Sequence, residues 1–172
     1  GACPKCTGIG MFMKTDPRLV ISDEDKSLIE GCIKVSGWGV NTWFNPDAST
    51  IAEMYYRGIA DHFGFDINTP WKDIPEEAKQ VVLYGTGDQK FKFERTGYLG
   101  VGTMENTFEG VINNMERRYK TTSSDYSRAE LESYMVESPC PECKGARLKP
   151  EYLAVTVGDK NIKEFCDMSV AD

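Results

Sequence analysis

The chain has 172 residues, of which 40% are hydrophobic and 27% charged, and a formal net charge of −7. That length suits one domain with its own core, or one domain with an appended module, and the composition excludes disorder through the bulk of the chain. The acidity excludes tight autonomous binding of DNA by the chain as a whole, because counterion release requires several clustered cations.

Apolar runs such as Val81 to Tyr84 are far too short to cross a bilayer, and no charged, apolar, small-residue signal pattern opens the chain. No membrane partner is expected. The start at Gly1 and the stop at Asp172 lead us to expect a piece of a longer protein.

Taken in chain order, the first signal is CPKCTG at positions 3 to 8, which returns almost unchanged as CPECKG at 140 to 145. Two residues between cysteines let both thiolates face one ion from a tight turn, and the glycines after each pair, Gly8 and Gly145, let backbone amides approach the sulfurs. Cys3, Cys6, Cys140 and Cys143 together supply the four soft ligands of a closed, tetrahedral, structural zinc site. The alternative is a pair of separate redox or surface dithiols. Cys32 and Cys166 have no partner at metal spacing and are read as small hydrophobes.

The paired knuckles predict three segments: residues 1–10 as the first half of a zinc module, 11–138 as an inserted domain, and 139–172 as the second half of the module together with the start of a further domain. Closing so long a loop through a metal carries a chain-entropy cost that grows only slowly with length.

Within the insertion, Ser22 followed by Asp23, Glu24 and Asp25 predicts a short capped helix ending at Gly31. A longer helix is expected from an Asn45 cap and Pro46, with Ile51, Met54, Tyr55, Ile59 and Phe63 on one apolar face and Gly64 as its stop. His62, the sole histidine, falls beside that face and is read as structural. A shorter helix starts near Pro75 and ends before Gly85 and Gly87. GTGDQK at 85 to 90 lacks the glycine spacing and the Lys-Ser/Thr pair of a phosphate-binding loop, so no nucleotide site is read there.

KFKFER at 90 to 95 alternates with period two, and the Gly- and Thr-rich stretch from Tyr98 to Phe108 completes a predicted hairpin. From Glu109 the pattern turns helical, with Val111, Ile112, Met115 and Tyr119 as the apolar stripe and Arg117, Arg118 and Lys120 on the other face. A second helix, capped by Ser123 or Ser124, places Leu131, Tyr134 and Met135 together and leads into Pro139. The fold class read from this is α+β: mixed helices and small antiparallel hairpins inserted into a four-cysteine zinc module.

Charge is uneven along the chain. Residues 1–110 carry 11 basic and 16 acidic side chains, whereas residues 111–149 carry 7 basic and 6 acidic. The ERRYK run, Glu116 to Lys120, with the hydroxyls at 121 to 124, is the candidate phosphate-contacting patch; the bland alternative is a solvated helix face.

CPKCTGIG, FEGVINNMERRYK and CPECKGARLKPEYLAVTVGDKNIKEF, in this order and across the whole chain, closely resemble UvrA, the damage-recognition ATPase family of bacterial nucleotide excision repair. The resemblance implies a cytoplasmic DNA-binding piece that helps grip damaged double-stranded DNA, with Arg117, Arg118 and Lys120 in the best-matching stretch. It also implies that the last residues of 139–172 begin the first signature domain. Self-dimerisation, contact with UvrB, and the binding of ATP and magnesium would belong to the parent chain. This piece has no catalytic residue and no nucleotide site of its own, and is not expected to be an enzyme. The stretch from Tyr98 to Thr107 departs from the family pattern, with glycines in place of charged residues, which speaks against DNA contacts from the hairpin. Two alternatives stand beside this reading. CPKCTGIG also resembles the zinc module with which DnaJ-type chaperones bind protein, and a UvrA-like paralogue outside repair would carry the same features.

Overall fold

The computed structural model describes residues 11–40, 50–97, 100–139, 156–157 and 160–161. The chain divides into two compact units, one formed by Gly1–Lys14 with Met135–Asp172, the other by Thr15–Tyr134.

In the first unit, the strand β1 (Met11–Thr15) pairs with β4 (Met135–Pro139) in a two-stranded sheet. The last helix of the insertion therefore does not run straight into the second knuckle, as the sequence predicts; a strand intervenes. A second small sheet pairs β5 (Thr156–Val157) antiparallel with β6 (Lys160–Asn161).

The second unit begins with α1 (Pro17–Val20), a single turn that the sequence reading missed. Its start follows the expected rules: the Asp16 carboxylate accepts from the Arg18 amide at 2.9 Å, and Pro17, which has no amide to satisfy, takes the first position. The helix predicted from Ser22 to Gly31 does not form. Its polar side chains bond locally instead: Asp23 Oδ1 accepts from the Asp25 amide, while Ser27 and Glu30 cap each other's backbone amides at 3.1 Å. Such bonds compete with a helix and favour turns. The segment folds back so that Ile21 bridges Ile33, sealing Leu28, Cys32, Ile33 and Val35 in the core.

Helix α2 (Ile51–Phe63) starts with a different cap from the one expected. Thr50 accepts from the Glu53 amide at 3.1 Å, the T-x-x-E arrangement of a capping box, so Asn45 and Pro46, which lie outside the described residues, do not start this helix. Gly64 ends it in the left-handed region at φ 72°. Its buried face is Ala52, Met54, Tyr56, Ile59 and Ala60, rotated from the predicted stripe; Ile51 is 53% exposed and Tyr55 half-buried.

After a 3₁₀ turn at Trp71–Asp73, α3 (Glu76–Tyr84) buries Ala78, Val82 and Leu83. It ends where the sequence predicts, before Gly85. The next glycines serve packing: Gly85 (φ 91°) lies against the backbone of Phe108 and Glu109, and Gly110 (φ 95°) against that of Tyr84, so neither position has room for a Cβ. The predicted hairpin is present as β2 (Phe91–Gly97) and β3 (Gly100–Asn106), antiparallel, with Phe93 opposite Met104. Phe91 and Phe93 point into the core, whereas β3 is exposed along its length. His62 stacks on Phe91 at 3.8 Å between ring centroids, a packing role.

Two helices close the unit. Helix α4 (Val111–Thr121) buries Val111, Ile112 and Met115, and α5 (Asp125–Glu132) is capped by Ser124, one of the two serines expected. The described part of the unit is a set of helices around one hairpin, an α+β arrangement. Among the described residues, no helix is long and apolar enough to cross a membrane.

The tightest packing of this core brings α2 against β2. A Cβ on Gly58 would overlap the Phe93 ring and stand 2.8 Å from the Lys92 carbonyl. Gly58→Ala gains the better helix former, yet overpacking should prevail, with a net loss of about 1–3 kcal/mol in a urea-unfolding measurement. A variant as stable as the parent would show that this contact is not tight.

Candidate nucleic-acid interface

Helix α4 carries all of the cations singled out by the sequence, Arg117, Arg118 and Lys120, in its last two turns. Gly110 allows the chain to turn sharply into α4, and the buried stripe of Val111, Ile112 and Met115 sets which face meets solvent. Basic residues in the last turn also complement the negative end of the helix dipole.

The three side chains have different surroundings. Arg117 makes a two-pronged contact with Glu109, Nε to Oε2 at 2.7 Å and Nη2 to Oε1 at 3.1 Å, with the Arg117 side chain 59% exposed. Asn114 adds a third donor to the same carboxylate, Nδ2 to Oε1 at 2.9 Å. The Arg117 hydrogen bond, reinforced by that of Asn114, holds the Glu109 carboxyl below the usual carboxylate range despite partial burial. Exposed as it is, the pair is screened by solvent and adds little to stability. Arg118 is half-buried and donates from Nη1 to the Ser36 carbonyl at 2.9 Å. Lys120 is exposed and makes no hydrogen bond or ion pair among the described residues.

Neither arginine is buried in an acidic pair, so the basic face stays accessible. The hydroxyls expected to join it are mostly committed elsewhere. Thr121 donates to the Arg117 carbonyl, Thr122 accepts from the Ser124 amide, and Ser124 caps α5. Tyr119, expected on the apolar stripe, is half-buried instead; its hydroxyl donates to Glu132 at 2.8 Å, and Arg128 lies 4.9 Å above its ring.

Beside Arg117 and Arg118 lies a hollow of about 450 Å³, also lined by Trp38, Ile51, Tyr55, Phe108 and Asn114. Trp38 donates its indole N–H to Asn114 Oδ1 at 3.1 Å, and so orients the amide that holds Glu109. Nothing local in the sequence announces this hollow, because it joins residues as far apart as Trp38 and Arg118.

Cys3, Cys6, Cys140 and Cys143 lie outside the described residues, as does Cys166. Cys32 is buried, and desolvation pushes its thiol up to about 12. It stays protonated at neutral pH, which suits a small hydrophobe and neither a nucleophile nor a ligand.

A family model described as the UvrA DNA-binding domain matches residues 16–133. The chain belongs to the UvrA family. It is 41% identical over 172 residues to UvrABC system protein A of Clostridium perfringens, covering all of this chain and 18% of that protein. It is 38% identical over 170 residues to the Brucella abortus protein of the same name, covering 99% of this chain and 17% of that one. The chain thus spans less than a fifth of the length of these UvrA relatives. Its fold is similar to that of UvrA2 from Deinococcus radiodurans, with a TM-score of 0.66, 22% identity, and coverage of 95% of this chain and 20% of that one. The UvrA match extends along the whole chain, which removes the reason for the DnaJ-type alternative.

Proposed function

We propose that this chain is the DNA-gripping insertion of a UvrA protein that acts on damaged double-stranded DNA in nucleotide excision repair in the cytoplasm. The observation that carries the reading is the accessible basic end of α4, with Lys120 unpaired among the described residues and Arg117 held only by an exposed carboxylate, in a chain whose family model is a DNA-binding domain. Relatives named UvrABC system protein A favour repair over a paralogue outside it. In this reading the full-length protein dimerises, meets UvrB, and supplies the sites for ATP and magnesium, while the present chain performs no catalysis.

The contacts are to phosphates. Long cationic side chains at a helix end position a duplex without reading its bases, which suits a protein that must accept any sequence around a lesion. Lys120 and Arg118 would contribute directly. Arg117 must first exchange Glu109 for a phosphate oxygen, so its share of counterion release is reduced. We further propose that Cys3, Cys6, Cys140 and Cys143 hold one structural zinc, tying residues 1–10 and 139–172 into a module that closes the ends of the insertion 11–138. Four thiolates are the donor set that zinc prefers in closed sites.

Each lost phosphate contact lowers the slope of log affinity against log salt by roughly one unit. Replacing Arg117, Arg118 and Lys120 with Ala in the full-length protein should therefore weaken binding to duplex DNA of any sequence and flatten its salt dependence by about one to three units. Binding curves that overlay those of the parent at low and high salt would return these residues to a solvated helix face. Metal analysis should find zinc in this chain, and Cys140→Ser should abolish it; a metal-free, folded chain would remove the zinc module.

A further inference from the structure

The hollow beside Arg117 is not explained by phosphate contacts along a helix face. Its floor is aromatic: Phe108 stands 4.9 Å from Tyr55 and 5.7 Å from Trp38 between ring centroids. At about 450 Å³ it falls in the range of small-ligand sites, roughly 300–1,000 Å³, with room for a single base and its sugar. The wall next to this floor is an anion site already built and filled by the protein's own carboxylate. Arg117 presents Nε and Nη2, and Asn114 presents Nδ2, to the two oxygens of Glu109. A phosphate offers paired oxygens to the same guanidinium fork.

We infer that this hollow receives one unstacked nucleotide of the bound DNA. The base lies against the half-buried Tyr55 at the edge of that floor, whose Trp38 and Phe108 are largely covered, and its phosphate replaces Glu109 on Arg117 and Asn114. The inference rests on the DNA-binding reading above and extends it, because it specifies what kind of DNA the domain favours. Stacking on aromatic rings is tolerant of sequence, since every base has a π-face. A base already loosened from its neighbours costs less to extrude than a paired one, so the hollow would favour distorted duplex over regular duplex without reading a particular lesion. Tyr55 is suited to such a role: it is half-buried, and its hydroxyl has no partner among the described residues. Ile51, 53% exposed in the first turn of α2, stands at the opening.

The test uses the full-length protein with a duplex carrying one bulged 2-aminopurine and the same duplex fully paired. The parent should bind the bulged duplex more tightly and quench its fluorescence. Ile51→Trp, which fills the opening from an exposed position, should reduce the preference for the bulged duplex by about tenfold, the size of one stacking contact, and restore fluorescence, with paired-duplex affinity unchanged. Glu109→Gln should strengthen binding of the bulged duplex and steepen its salt dependence by up to about one unit. Equal quenching in parent and Ile51→Trp, or equal weakening of both duplexes by that variant, would overturn the inference while leaving the DNA-binding reading intact. Failure of that broader reading has a different signature: neither duplex responds to loss of Arg117, Arg118 and Lys120. If free 2-aminopurine deoxynucleotide were quenched at the same concentration with the same dependence on Ile51, the hollow would belong to free nucleotides and the assignment to DNA would fall.

Discussion

The packing of α2 on the hairpin through Gly58 is the constraint on which the second unit depends. Without a side chain at that position, the Phe93 ring and the Lys92 carbonyl lie directly against the helix backbone. That contact sets the height of Tyr55 and Tyr56, one turn earlier. Tyr56 is fully buried and donates its hydroxyl to the Trp38 carbonyl at 2.7 Å, which fixes the loop carrying Trp38. Tyr55 lies against Phe93 and Phe108, at 5.0 and 4.9 Å between centroids. Removing an aromatic ring of this kind from a core costs about 3–5 kcal/mol, more than any surface ion pair here contributes.

Phe108 connects this seam to the charged end of the unit. Two residues later Gly110 turns the chain into α4, and the close approach of Gly110 to Tyr84 and of Gly85 to Glu109 locks the start of α4 against the end of α3. Asn113 reinforces the join by donating to the Tyr84 carbonyl at 2.7 Å. The direction of α4, and with it the position of Arg117, Arg118 and Lys120, thus depends on apolar packing and glycine contacts. The charges then act at the surface. Exposed pairs such as Glu109–Arg117 are too weak to hold the fold and can be exchanged for a phosphate at small cost.

Much of this was legible from sequence wherever one local pattern dominated. The alternation of KFKFER yielded β2, the 3.6-residue period from Val111 to Met115 yielded α4, and the glycines after Leu83 marked the end of α3. Ser22 with Asp23, Glu24 and Asp25 misled, because residues that cap and start helices also stabilise turns, as the Asp23–Asp25 and Ser27–Glu30 bonds do here. The start of α2 was misplaced because Asn-Pro is a strong helix signal locally, whereas Thr50 with Glu53 is the pair that the folded chain uses. The β1–β4 pairing and the bond from Arg118 to the Ser36 carbonyl join residues too far apart in sequence for any window to connect. The basic run itself was plain in the sequence. That Arg117 is shared with Glu109, and that both border an aromatic hollow, was not, because those contacts exist only after the seam has folded. The cysteine knuckles, the plainest motif of all, lie outside the described residues.

A structure of the full-length protein on duplex DNA tests whether the basic end of α4 holds the DNA backbone. Phosphate oxygens should lie within hydrogen-bond distance of Lys120 Nζ and of the Arg117 guanidinium, with Glu109 displaced. A complex in which the DNA passes elsewhere, and in which the Arg117–Glu109 pair stays closed with Lys120 in solvent, would contradict it.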